Sequence, residues 1–155
     1  MAAPSAPPPP FAEWIGRQET ARDEVAVGRV NALAATLDLE PALEEGDELP
    51  PGWHWILFNP IARMSALGPD GHPRRGGFMP PVELPRRMWA GGRLAFHEPL
   101  RVGDGVRRVS EIKTIEGKQG KSGALVFVTV LHRLYSADRL AIEEEHDVVY
   151  REEAR

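Results

Sequence analysis

Only one stretch of this 155-residue chain has the pattern of a long helix, and everything after residue 85 alternates as strands do. Between residues 26 and 38, Val27, Val30, Leu33, Ala34 and Leu37 recur at spacings of three and four, along one stripe of a 3.6-residue period. From residue 41 to 85, nine prolines and six glycines break any further long element. This segment is not a linker. Trp53, Trp55, Ile56, Leu57, Phe58, Ile61, Met64 and Leu67 are too apolar to stay in water, so part of it must pack, and loops this long usually carry function.

Before the helix, residues 11–18 suit a short helical turn and residues 19–25 a short strand. After the loop, residues 86–98, 106–116, 124–136 and 140–152 read as four strands, separated by turn signals such as Glu98-Pro99, Gly103-Asp104-Gly105 and Ala137-Asp138. Their succession suggests a four-stranded antiparallel meander. Residues 125–131 are apolar on both faces, which predicts a central strand covered on both sides. In the last strand Leu140, Ile142, Val148 and Tyr150 share one face, while Glu143, Glu145, Asp147 and Arg151 share a face expected to meet solvent. One apolar helix and one curled antiparallel sheet, with no second helix, pack most economically when the sheet wraps around the helix, an α+β architecture.

Composition supports one folded domain. The chain is 42% hydrophobic and 27% charged, ordinary for a globular domain, and at this size folding hides roughly 70% of the unfolded surface. The proline-rich residues 1–10 are expected to form a disordered arm, leaving residues 11–155 as the domain. With no cysteine, disulfides, thiolate catalysis and iron–sulfur ligation are excluded. The apolar runs at 56–58 and 124–128 fall well short of the roughly 20 residues a membrane helix needs, and the N-terminus lacks a secretory pattern. A net charge of −4 argues against non-specific nucleic-acid binding, and the lack of cysteine fits an expected cytoplasmic location.

Several apparent motifs do not survive inspection. Gly120-Lys121-Ser122 ends like a phosphate-binding loop, but Ile115 stands where the first glycine is needed, and the segment joins two strands as a hairpin would. The histidines at 54, 72, 97, 132 and 146 show neither an HExxH pattern nor an i, i+4 pair, so no metal is expected. His132 and His146 suit a structural role within strands, and His72 an exposed turn. His54, between Trp53 and Trp55, is the histidine that burial can turn into a neutral base or donor, or simply bond to backbone. Arg74-Arg75 and Arg86-Arg87 bracket a Gly-Gly-Phe-Met-Pro-Pro segment, followed by Trp89-Ala90-Gly91-Gly92. Arginine forks, glycines and a tryptophan wall suit a phosphorylated thioester carrier; alternatively, the arginines are solvated or pair with Glu143-Glu144-Glu145.

At these residues the sequence resembles a known family. The run from Leu67 to Gly92, with Trp53-His54-Trp55 upstream and Phe96-His97-Glu98-Pro99-Leu100-Arg101-Val102-Gly103-Asp104 downstream, looks like the FAS1-like dehydratase domain. The likeness extends to residues 125–130 and 147–151. That domain is the N-terminal half of mesaconyl-CoA-type hydratases and 3-hydroxyacyl-thioester dehydratases of the MaoC superfamily. The resemblance implies the hot dog fold, a pairing of two hot dog halves, and reversible addition of water to an enoyl thioester carried on CoA, without a further cofactor. The superfamily's acid–base pair lies in a D-x-N-P-x-H stretch. The matching run here, Leu57-Phe58-Asn59-Pro60-Ile61-Ala62, puts Leu57 and Ala62 at the aspartate and histidine positions, and neither can carry a proton.

The leading expectation is therefore a hydratase or dehydratase half that needs a separately encoded catalytic hot dog partner. Trp53, His54, Trp55, Arg75, Arg87, Trp89, Gly91 and Gly92 are its candidate substrate-binding residues, with no catalytic residue assigned. One alternative is a self-sufficient homodimer using His54 with a carboxylate such as Asp47 or Glu83. The other is a non-catalytic acyl-thioester binding protein.

Overall fold

The computed structural model describes residues 10–40, 42–120 and 123–153. Five strands, β1 (Gln18–Glu24), β2 (Arg86–Phe96), β3 (Gly105–Gly120), β4 (Gly123–Ser136) and β5 (Arg139–Arg151), form one antiparallel sheet in the order β1-β3-β4-β5-β2. A single α-helix, α1 (Val27–Thr36), follows β1. The helix and the curled sheet are as expected. The meander is not: only β3, β4 and β5 follow one another, while β2 crosses to the far edge and pairs with β5. Strand periodicity gives each strand's faces but not its neighbour, which the register of side-chain contacts decides.

Helix α1 is ten residues long, about 15 Å, whereas β3 to β5 run 13 to 16 residues, about 45 Å or more. One helix of that length can cover only part of the sheet's inner face. It buries Val30 and Ala34, while Val27 and Leu37 at the ends of the predicted stripe stay exposed. Val30 joins a cluster with Val25, Leu100, Val106, Leu134 and Ile142 at one end of the sheet. A second cluster of Val82, Ile112, Ile115, Val128, Val130 and Tyr150 lies toward the other end, covered by Phe78, Met79 and Leu84 of the proline-rich loop and by Phe11 and Trp14. The apolar loop residues pack, as their composition requires.

The expected cover on both faces of β4 is absent. Its even-numbered residues Val128, Val130 and Leu134 are buried, but Phe127, Leu131 and Tyr135 on the opposite face are only half-buried. No second layer lies over them among the described residues. Instead Lys118 lies over the Phe127 ring at 5.0 Å and Arg107 over Tyr135 at 4.2 Å, so long cationic stems shield the aromatic surface while their charges reach water. The outer face of β5 is an ion-pair ladder: Arg93 bridges Glu145 and Asp147, Lys113 also reaches Glu145, and Arg133 and His97 hold Glu143. None of Arg74, Arg75, Arg86 or Arg87 joins it, so the suggested pairing with the acidic run is replaced by partners on neighbouring strands.

Gly120 of β3 pairs with Gly123 of β4, and Lys121 and Ser122 of the Gly120-Lys121-Ser122 run lie outside the described residues. Residues 1–9 of the expected arm also lie outside them. Pro10 packs over Gly117, where a Cβ would come within 3.3 Å of its ring. No helix among the described residues is long and apolar enough to cross a membrane.

The register between β2 and β5 shifts between Trp89 and Gly91, a bulge that sets the Gly-Gly pair against Asp147 and His146. A Cβ on Gly92 would lie 2.8 Å from the Glu145 carbonyl oxygen, which is backbone and can yield only if the strands part. Gly92→Ala is accordingly expected to lower stability by about 1–3 kcal/mol, measured by urea unfolding, while Gly28→Ala, with open space around it, leaves it unchanged or raised.

Candidate functional site

Between the two apolar clusters the sheet's inner face turns polar. In β5 the residues Ile142, Glu144, His146, Val148 and Tyr150 share one side, so an acid and a histidine interrupt an apolar row. Cross-strand pairing extends the interruption: Ser110 of β3 lies opposite His132 of β4, and His132 opposite Glu144. Arg108, two residues before Ser110, faces the same way. The short helix leaves this band uncovered, and a cavity of about 450 Å³ opens over it. Its walls are Trp55, Leu57, Phe58, Trp89 and Leu134, with Arg108, His54, His132, His146 and Glu144 as its polar groups.

Glu144 is the anchor of the site. A 3-10 turn, Trp53–Ile56, places His54 and Trp55 over β5, where Glu144 Oε2 lies 3.1 Å from His54 Nε2 and Oε1 accepts the Trp55 indole N–H at 3.0 Å. His54 is 3% exposed and Glu144 8%. Burial pushes the Glu144 carboxyl up, but the hydrogen bonds and charge of His54 and the Trp55 donor outweigh it and hold the group below its ordinary value. His54 Nδ1 is buried with no hydrogen-bond partner among the described residues. The His54 ring meets Trp55 and Phe96 edge-on, with centroids 6.1 and 6.0 Å away.

Beyond this pair, His132 Nδ1 shares a 2.8 Å hydrogen bond with the Ser110 hydroxyl, the satisfied partner its strand position suggested. Burial first, and the Arg108 charge second, push His132 down to about 4, so its imidazole is neutral at pH 7. Phe58 adopts φ 58°, a left-handed conformation unusual for an aromatic residue, fixed by its N–H donating to Asp23 at 2.6 Å. Its ring lies under the Arg108 guanidinium at 4.5 Å.

The candidate residues divide in two. His54, Trp55 and Trp89 come together at the cavity, with Gly92 opposite His146 beside it. Trp53 packs against the first apolar cluster instead. Arg75 donates to the carbonyls of Val82, Leu84 and Pro85 and lies 5.1 Å over the Tyr150 ring, bracing the proline-rich loop, and Arg87 pairs with Asp70 at 3.2 Å. Asp47 accepts from the Glu44 N–H in a turn, so the carboxylate beside His54 is Glu144 rather than Asp47 or Glu83. Arg108, Phe58, Glu144, His132 and His146 were missed as site residues. The signal was strand parity: a charge or histidine on the apolar side of β3, β4 or β5 points inward. His72 is exposed, and among the described residues no group of three His, Asp or Glu is placed to hold a metal ion.

Two consequences are measurable. Between about pH 4 and 6.5 the unfolded chain binds a proton at His132 and the folded chain does not, so stability is lost as pH drops through that window, by up to about 3 kcal/mol. His132→Gln should flatten the dependence of urea midpoint on pH there. Glu144→Ala strips both donors of their acceptor and should cost about 3 kcal/mol at pH 7 in the same unfolding experiment. Because folding lowers the pKa of Glu144, its contribution holds above about pH 4.5 and fades only below it.

With this geometry in view, comparison with known proteins places the chain. Residues 52–155 match the family described as hydroxyacyl-thioester dehydratase type 2. Mesaconyl-C(4)-CoA hydratase of Chloroflexus aurantiacus is 50% identical over 140 residues, covering 90% of this chain and 50% of that protein. The chain thus spans about half the length of that curated relative. Solved structures share the fold. The ChsH1-ChsH2 complex from Mycobacterium tuberculosis matches with TM-score 0.64 and 17% identity, over 89% of this chain and 84% of that one. The MaoC-like dehydratase from Rhodospirillum rubrum matches with TM-score 0.57 and 22% identity, over 91% and 94%. The HadBC (3R-hydroxyacyl-ACP dehydratase) complex from Mycobacterium tuberculosis matches with 0.59 and 14%, over 88% and 96%. The curled sheet around one helix is the hot dog fold, and the chain belongs to the hydroxyacyl-thioester dehydratase type 2 family.

Proposed function

We propose that this chain is one hot dog half of an acyl-thioester hydratase or dehydratase, supplying the wall of the acyl pocket while a second hot dog unit supplies the acid–base pair. The observation that carries this reading is the fate of the run 57–62. Leu57 is buried against the first core cluster and Ala62 is exposed, so the positions of the superfamily's aspartate and histidine hold no proton carrier. The 450 Å³ cavity beside them, walled by aromatic and aliphatic side chains, is of a size for a short acyl group.

Hydration of an enoyl thioester needs a base to activate water, an acid to protonate the α-carbon, and N–H donors on the thioester oxygen as charge builds there. No redox cofactor enters; the carrier is the CoA of the substrate, which fits a cytoplasmic location. In this reading the second unit, on its own chain or a longer one, packs along β2. That strand is an edge of the sheet and exposes Met88, Trp89, Leu94 and Phe96, an arrangement that invites a partner. Trp55, Trp89 and Gly92 then face acyl group and pantetheine, Arg87 stands for phosphate contact, and Arg75 and Trp53 support the loop.

A second reading rests on the His54–Glu144 contact, a histidine oriented by a buried carboxylate as an acid–base group would be. The two readings, and a purely binding role, separate in one assay: hydration of crotonyl-CoA, followed by loss of conjugated-thioester absorbance. The expected result is turnover only when a catalytic MaoC-type hot dog subunit is added. Turnover by this chain alone, abolished in His54→Ala, would instead establish the self-sufficient enzyme, and acyl-CoA binding without turnover in either case would leave a binding protein.

A further inference from the structure

A second cavity, of about 430 Å³, lies beside the first, and among the described residues His54 alone lines both. On β5 the successive inward residues Glu144 and Ile142 mark the boundary, Glu144 lining the first cavity and Ile142 the second. His54 is held over that step by its 3-10 turn. The Trp55 ring, a wall of the first cavity, meets the imidazole edge-on with centroids 6.1 Å apart, and the Phe96 ring, a wall of the second, meets it at 6.0 Å. A ring that is 3% exposed and borders an open space on two fronts is a partition between them.

The second space suits an aliphatic chain. Leu49, Leu100 and Ile142, all buried, form its apolar floor, and Phe96 adds an aromatic wall. Its rim carries Glu48 and Glu98, but Arg101 holds the first at 2.9 Å and Arg139 the second at 2.8 Å, so neither is left to draw a charged ligand. The polar element between the two spaces is His54 itself. Its Nε2 is tied to Glu144 at 3.1 Å, which fixes the ring, and its Nδ1 is buried with no hydrogen-bond partner among the described residues. Pro50 and Pro51, just before the turn, stiffen the backbone that carries it. A methylene chain pressed against this ring cannot satisfy Nδ1, and it can displace the ring only by taking from a buried carboxylate one of its two donors.

We infer that His54 is a specificity-determining residue for acyl chain length, a partition that ends the first cavity and shuts an acyl tail out of the second. The inference rests on the acyl-thioester reading above. It gives His54 a role that involves no proton transfer, and it makes the second cavity a latent site for an aliphatic tail that opens when the partition is removed.

The experiment compares dissociation constants of CoA, butyryl-CoA and octanoyl-CoA, by calorimetry with the full chain and with His54→Ala and His54→Phe. Both thioesters are saturated, so no hydration intrudes on the measurement. Burying one methylene tightens binding about fourfold, so the four that octanoyl adds register strongly wherever they find apolar space. The expected result is a wild-type preference for octanoyl over butyryl below about tenfold. His54→Ala, which opens the partition, should raise that preference at least about tenfold, and His54→Phe, which keeps a ring in place, should not. A wild-type preference well above tenfold would mean that the chain already passes, and an unchanged preference in His54→Ala would mean that nothing was blocked; either overturns the inference while leaving the acyl-thioester reading standing. An equal rise in His54→Phe would trace the effect to lost polarity and overturn it too. Thioesters binding no better than CoA would sink the acyl-pocket reading and this inference with it. The wild-type ratio needs no variant, so the inference stays open to refutation even where a variant fails to fold.

Discussion

The carboxylate of Glu144 organises this molecule. It lies on the inner face of a strand, where an unpaired charge would be prohibitively costly, and it is satisfied by two donors from a 3-10 turn about ninety residues earlier in the chain. That contact is what fastens the proline-rich loop to the sheet at mid-height. The loop has almost no regular structure of its own, and it would otherwise be held by its apolar residues and by the Arg75 brace on Val82, Leu84 and Pro85. By fixing Trp55 and His54, Glu144 also fixes one wall of the cavity.

The cavity itself follows from a mismatch of lengths. A ten-residue helix cannot span strands of 13 to 16 residues, and the loop broken by prolines packs on both apolar clusters without filling the strip between them. The strip left between the two apolar clusters is where polar side chains are tolerable on the inner face, because they line a space rather than a packed core. Ser110, His132, His146, Arg108 and Glu144 all lie there. Three of the five are engaged with protein groups through hydrogen bonds: His132 with Ser110, and Glu144 with His54 and Trp55. Arg108 and His146 have no such bond among the described residues, and Arg108 Nε is buried without a partner.

Family membership and site geometry speak to different questions. The match to the hydroxyacyl-thioester dehydratase type 2 family fixes the lineage, and the shared fold with MaoC-like proteins fixes the scaffold. Fold alone does not say which half carries the protons. That depends on two side chains, and here they are leucine and alanine, one packed into the core and one on the surface. β2, an edge of the sheet, leaves Met88, Trp89, Leu94 and Phe96 exposed.

The sequence by itself determined the elements and the lineage: the apolar stripe of one helix, the alternation of the strands, and the run with Leu57 and Ala62 at the positions of the superfamily's acid and base. These are local patterns, legible because helix and strand periods are properties of consecutive residues. Which strand lies beside which was not legible, and so β2 was placed in a meander when it pairs with β5. The site was only half visible for the same reason. His54, Trp55 and Trp89 stand in conspicuous segments, but Glu144 was hidden in an acidic run and Arg108 in a strand of mixed charges. Their meaning depends on facing inward beside residues dozens of positions away, and only tertiary structure decides which charges lose their water and which partners they find there.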